Sequence, residues 1–416
     1  LIDRLRELIS RLQRHPVFLR VTQPPLMRWR TALAIIALIH VVGGALLLRL
    51  DLNNAPGLYF PAQAPATVLE KELRREFPND EFLIGLFRDE NIYTAERLKA
   101  IDRVAGDMAR HADVDRVFAV TRVDHIAGSA DGFVVEPLID VTRLDSSTPQ
   151  ANRDRVLKDR FVPRWLASPD GKALAVVVRT KPLKESRQRQ SIETVFRTSV
   201  AQHALGPQLT AVAGTVALDA AEMDSMLRDT LVFTPLVMGL GLALLYWVVG
   251  RIIPVLIGAA AMSTAVTICV ALIAALGQPY TLVTAMVPTL ISAYTAANLL
   301  HFYAAVKRMR DAGFHRPKRV VLALQAVNTP AMFNVLTTAA GMISLVLVPI
   351  PPVQVFGLIG AVGVLAIYLV VFYLVPPLLV KFDHGPWAGD SGGFAWTKTL
   401  SYGLTRLSIR YAGWVV

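Results

Sequence analysis

Apolar residues in this chain gather into six long, nearly uncharged runs. They cover residues 31–48, 231–249, 252–276, 281–305, 326–348 and 353–380. Each approaches or exceeds the ~20 residues that a helix needs to cross a hydrocarbon core. Between residues 231 and 380 the only acidic residue is Asp311. Breakers separate the runs: Gly250-Arg251, Gly277-Gln278-Pro279, and the prolines at 349, 351 and 352. A seventh run begins at Tyr411. The pattern predicts a polytopic α-helical membrane protein.

Residues 51–229, between the first two runs, change period. Residues 81–88 (EFLIGLFR) read as a strand, and 94–111 carry Leu98, Ile101, Val104 and Met108 at helical spacing, with Thr94 as the cap. Strands are expected at 114–123, 133–138, 172–180 and 209–214, and helices at 152–158, 186–203 and 217–228. The last helix leads directly into the second run. The order suggests an α/β domain of split βαβ, ferredoxin-like type inserted between the first two spans. The chain therefore divides into a basic flank (1–30), a first span (31–50), an external porter-like domain (51–229), a five-span bundle (230–380) and a linker entering a seventh span (381–416).

Charge supports this division. Charged residues make up 18% of the chain and hydrophobic ones 53%, against about 25% charged in soluble domains. The net charge is +11, yet residues 51–229 hold 24 basic and 27 acidic residues. The excess lies in short flanks: Arg28 and Arg30, Lys307 to Arg319, and Lys381 onward. These flanks alternate with uncharged loops at successive crossings, which places the N-terminus and the basic loops in the cytoplasm and residues 51–229 outside. No basic–aromatic patch or nucleic-acid fold motif is present, so no nucleic acid is expected as partner. Leu1, Leu5, Leu8 and Leu12 recur at helical spacing opposite arginines, the pattern of a helix lying on the inner membrane surface or packed on the protein's own inner face. The single cysteine, Cys269, excludes disulfides within the chain. No cleavable signal peptide precedes the first run. The start at Leu1 and the stop inside an apolar pattern suggest a piece of a longer chain.

Residues 51–229 carry no Gly-rich phosphate loop, metal-ligand spacing or nucleophile elbow, so the chain is not expected to be an enzyme. His111 and His125 read as surface or hydrogen-bonded histidines. The candidate chemistry lies in the spans. In the fourth, Tyr294, Thr295, Asn298 and His301 are polar, and positions 294, 298 and 301 share a helical face. Two readings stand: a residual proton relay that uses His301, or hydrogen bonds between helices. His301 could also lie at the inner interface. In the fifth, Asn328, Asn334, Thr337 and Thr338 line a polar path or pack against neighbours. Gly357, Gly360 and Ala361 permit close helix approach in the sixth. His40, in the first span, has no partner that the sequence identifies.

Several stretches resemble one half of a resistance–nodulation–division (RND) superfamily transporter, in the subgroup of the mycobacterial large membrane proteins and hopanoid exporters. They are RLDLNNAPGLYFPAQAPA (49–66), SPDGKALAVVVR (168–179), VAGTVALDAAEM (212–223), and, within 328–380, NTPAMFNVLTTAAGMISL, IPPVQVFGLIGAVGV and YLVPPLLVKF. The resemblance implies export of a lipid or other amphipathic substrate from a bacterial inner membrane. Proton-motive force would drive it, with no cofactor. Membrane lipids, the substrate, the chain's own C-terminal half and a dimeric or trimeric assembly are the implied partners. It also implies an Asp in the fourth span, but alignment on His301 puts Ala297 at that position and Asn298 at the neighbouring Tyr. The relay would then lie in the second half. Other members of this architecture act as sterol or lipid sensors, or as accessory subunits of protein export, and these are the competing expectations.

Overall fold

The computed structural model describes residues 26–61, 63–77, 81–129, 132–385 and 387, and short pieces at 402–403, 405–407 and 410. The leucine-spaced segment at 1–12 and the run starting at Tyr411 lie outside the described residues.

Helix α1 (Trp29–Leu47) is the first apolar run. The chain then enters an α/β unit, beginning with α2 (Pro65–Glu76), β1 (Phe82–Arg88) and α3 (Ala95–Ala109). Strands β2 (Val114–Phe118), β3 (Asp124–Ser129) and β4 (Gly132–Pro137) follow. Helix α4 (Pro149–Lys158), β5 (Ala173–Thr180), α5 (Ser186–Gln202) and β6 (Leu209–Ala213) complete it. The main sheet runs β2-β5-β1-β6, with every neighbouring pair antiparallel. That interleaved order is what two split βαβ units produce. Strand β5 is nearly continuous in apolar residues and buried on both faces, as suits a central strand. In β1, Leu83 and Phe87 are buried, and Gly85 between them admits the Phe196 ring of α5. A Cβ at Gly85 would lie 2.1 Å from Phe196 Cζ.

Two local expectations need correction, and a third, a strand found where expected, gains its partner. The strand expected over 114–123 ends at Phe118, and the chain turns at 119–123. There Arg122 Nε donates to Asp102 Oδ1 at 3.0 Å, which holds the backbone out of the sheet. The strand expected at 133–138 pairs only with β3, as a separate hairpin. Thr94 occupies the position before α3, but its hydroxyl donates to Asn91 O at 2.9 Å rather than capping the helix.

The expected helix at 217–228 and the second apolar run are one 35-residue helix, α6 (Thr215–Val249). Nothing between them favours a break. It ends at Gly250, whose φ of 68° is left-handed, so the chain reverses within two residues. Helices α7 (Ile252–Ala275), α8 (Val287–Asp311), α9 (Lys318–Ser344) and α10 (Pro351–Leu369) follow. A π turn (Val370–Leu374) joins α10 to α11 (Val375–Phe382). Among the described residues five helical stretches are long and apolar enough to cross a membrane, one fewer than the six apolar runs, and fit a multi-pass membrane protein. Helix α8 falls below that apolarity. It packs between α6, α7, α9 and α10, and its Ser292, Thr295 and Asn298 are buried there.

Small residues let these helices approach closely. A Cβ at Gly363 of α10 would lie 2.6 Å from both Cys269 Sγ and Ile291 Cδ1. Gly357 and Gly360 lie against Met342, and Ala361 is buried. His40 has partners after all. Its Nδ1 lies 2.9 Å from Ile36 O and its Nε2 2.9 Å from Ser263 Oγ, tying α1 to α7.

Candidate functional site

Among the described residues no direct side-chain hydrogen bond joins the four polar residues singled out in α8 to one another. Thr295 is buried, and its hydroxyl donates to Ile291 O at 2.6 Å. Asn298 is buried, and its amide turns back to Tyr294 O at 2.9 Å. Tyr294 instead reaches across to α9, where Asn334 Nδ2 donates to its hydroxyl at 2.9 Å and Thr338 Oγ1 lies 3.4 Å away. Thr337 and Thr338 also bond back to their own helix at Asn334 O. Asn328 is fully buried and hydrogen-bonds Tyr368. His301 is exposed. Among the described residues no hydrogen bond joins it to Asn298 or Tyr294. Ala297 is exposed on the same helix.

A cavity of about 490 Å³ opens where the α/β unit meets the bundle. Met226 and Phe233 of α6 form one wall. Leu282, Ala285 and Met286, in the turn before α8, form another. Leu290 and Ala293 of α8 and Phe356 of α10 close it. Its polar groups are Asp229, Thr230 and Thr289. Behind the wall Thr234 and Thr289 share a hydrogen bond of 3.0 Å, which fixes α6 against α8. The volume and the ratio of apolar to polar lining are those of a site for a small hydrophobic molecule with one polar end. Methionines at the rim can reshape themselves to different guests, and Met286 is 62% exposed there. Spacing carried a signal of the cavity. Ala285, Thr289 and Ala293 are small residues four apart, and Ala297 and His301 continue the same steps.

Directly above the cavity, four separate segments meet in a buried polar net, to which Glu81 before β1 is tied through Arg189. Asn54 Oδ1 accepts from Leu282 N at 2.9 Å and from Tyr59 Oη at 2.5 Å, and Asn54 Nδ2 donates to Glu222 at 3.0 Å. Burial pushes the Tyr59 phenol above its usual range, which keeps it a donor. Asn54 N donates to Ser186 Oγ, and Ser186 Oγ donates to Asp219 Oδ1 at 3.1 Å. Arg189, 3% exposed, grips Glu81 with two bonds of 2.8 Å, and its Nη1 lies 3.6 Å from Asp219 Oδ2. The net joins the segment after α1, the start of α5, α6 and the turn before α8. Sequence reading missed it because its members are scattered along the chain. In the α/β unit His125 Nδ1 pairs with Asp159 at 2.7 Å and His111 Nε2 lies 3.2 Å from Ser191 Oγ, so both histidines are engaged.

The profile of the MMPL family matches residues 59–401, which takes in the strands of the α/β unit, the cavity and helices α6 to α11. The chain belongs to the MMPL family. That membership puts it among RND-type membrane transporters. No curated protein matches this MMPL chain. The match covers both the polar helix α8 and the apolar cavity beside it, while Asn54 of the net and helix α1 with His40 lie before it.

Proposed function

We propose that this chain is one half of an exporter for a lipid or other amphipathic molecule, and that the cavity between α6, α8 and α10 admits the substrate from the membrane. The observation that carries this reading is the cavity itself: apolar walls of about 490 Å³, polar groups at one end and a half-open rim. Asp229 and Thr230 would receive a polar head while the walls receive a chain. Proton-motive force is the proposed energy source, with the titrating group supplied by a second helical half. Two features of α8 and α9 support that. Position 297 carries a methyl group, and Asp311 is the only acid between residues 231 and 380. The exposed positions Ala297, His301, Asn334 and Thr337 also form a partly polar surface, which is costly to leave against lipid and suits a covering helix. Positive charge on the short loops favours a bacterial inner membrane with the α/β unit outside.

The test is flux of a fluorescent single-chain lipid through the complete protein in proteoliposomes, with and without a protonophore. Ala293→Trp and Ala285→Trp, which fill the cavity, are expected to bring flux to background while the protein stays monodisperse. Unchanged flux in both variants would remove the cavity from the path. Binding that Ala293→Trp abolishes, without protonophore-sensitive flux from the parent, would establish the sensor reading instead.

A further inference from the structure

At the end of the bundle far from the α/β unit, a second cavity of about 380 Å³ is lined by Arg310, Gly313, Phe314, His315, Arg316 and Arg319. It lies in the turn that joins α8 to α9. Its charges do not balance. Asp383 is 1% exposed, accepts from Arg319 Nη2 at 3.1 Å and from Trp387 Nε1 at 2.5 Å, and lies 3.3 Å from Arg251 Nη1. Arg310 pairs with Asp311 and donates to Trp387 O. Arg316 has no carboxylate partner among the described residues, and its Nη1 lies 2.6 Å from His384 Nδ1. Lys318 lies over the Phe314 ring at 5.4 Å. Among the described residues four guanidiniums and a lysine thus surround two carboxylates, and residues 231–380 contain no acid besides Asp311.

One of these groups carries an N–H without an acceptor. Arg319 lines the cavity and is 8% exposed, yet its Nε is buried without a hydrogen-bond partner among the described residues. A buried guanidinium N–H without an acceptor is costly, and a phosphate oxygen is the acceptor that guanidinium groups match best. The turn also lies where a membrane-crossing helix emerges at the surface, at the depth of phospholipid headgroups.

We infer that this cavity binds a phosphate group, carried by an anionic phospholipid or by a free phosphate anion, between Arg316 and Arg319. Phe314 gives the rim an apolar shoulder. The site is independent of the substrate cavity, which lies at the other end of the bundle.

Binding is measured on the complete protein in neutral detergent, by native mass spectrometry for short-chain phosphatidylglycerol and by thermal shift for inorganic phosphate. Short-chain phosphatidylcholine and chloride at matched ionic strength are the controls. Retained phosphatidylglycerol with no response to phosphate identifies a lipid site. A thermal shift with millimolar phosphate, and no preference for phosphatidylglycerol over phosphatidylcholine, identifies a free-anion site. In either case Arg316→Gln, which leaves the Arg319–Asp383 pair intact, should weaken binding by about ten-fold or more. His315→Ala tests the same cavity from a residue outside the Asp383 cluster and should weaken binding less. The idea fails if neither anion is preferred over its control. It fails equally if binding survives unchanged in Arg316→Gln and His315→Ala.

Discussion

Both ends of the helical bundle bury carboxylates beside guanidiniums, but they balance the charge in opposite ways. At the domain end one arginine, Arg189, lies between Glu81 and Asp219, while the neutral donors Asn54 and Ser186 serve Glu222 and Asp219 Oδ1, and Asp219 Oδ2 has only Arg189 Nη1 at 3.6 Å. At the far end one carboxylate, Asp383, lies between Arg319 and Arg251, with Arg310 and Arg316 nearby. The first cluster is threaded with amides and hydroxyls that do not change charge, and it joins four segments. The second has few neutral members and a surplus of positive charge at the mouth of a cavity. Where neutral groups fill the gaps a cluster is structural and closed. Where like charges crowd, it stays receptive to a counter-ion.

The comparison can be broken at its most loaded atoms. Asp383→Ala should give the largest loss, because it strips two buried guanidiniums of their shared partner. Removing one side of a buried pair costs about 3–5 kcal/mol. Thermal unfolding in detergent should show this as a steep drop, and a near-neutral result would mean that Arg319 and Arg251 do not depend on Asp383. Arg189→Met should cost somewhat less, about 3 kcal/mol, since Asp219 keeps its bond from Ser186. If Arg189→Met were as damaging as Asp383→Ala, the neutral net would not be sharing the burden as argued.

A third, smaller effect separates the two regions by pH. The hydroxyl of Ser199, 2.6 Å away, and then His203 hold the Asp107 carboxyl below its ordinary range. A carboxylate with a depressed folded-state pKa stabilises fully above its unfolded value of about 3.9. That contribution disappears as pH falls through the folded value. Asp107→Asn should therefore cost about 1–2 kcal/mol near neutral pH and nothing at acid extremes, where the parent has lost the same interaction. Hydrogen exchange followed from pH 7 to 3 should report this in the α/β unit and leave the bundle helices unaffected. An equal penalty at both pH values would show that Asp107 acts by shape alone.

Long-range pairing was the part of the molecule that the sequence hid. The apolar runs found the spans because lipid-facing and core-facing positions are both apolar, and Gly250 marked its reversal because no other residue adopts that φ as easily. Helix ends were harder to place. Helix α9 begins at Lys318, eight residues before the apolar run expected at 326, because Arg319 folds into the Asp383 cluster instead of ending the helix in water. The strand break after Phe118 depended on Arg122 finding Asp102 twenty residues away. In α8 the spacing of 294, 298 and 301 was legible, but not that Asn298 would bond its own helix. Neither buried cluster could be read, since Glu81 meets Arg189 and Arg251 meets Asp383 across more than a hundred residues. A lone acid just after the sixth run, among basic neighbours, was the one available hint of Asp383.

Helix α6 has a mechanical meaning. Its first turns are buried in the α/β unit through Val216, Ala217 and Ala220, and its last are buried in the bundle through Leu245 and Val249. Thirty-five residues at ~1.5 Å each make a strut of about 52 Å. A tilt of roughly 5° about one end would swing the other by about 4 Å, most of a helical turn. The wall of the apolar cavity, from Met226 to Phe233, lies near the middle of this strut, just before Pro235. A small rocking of the α/β unit would then change the width of the cavity, with no hinge loop in between.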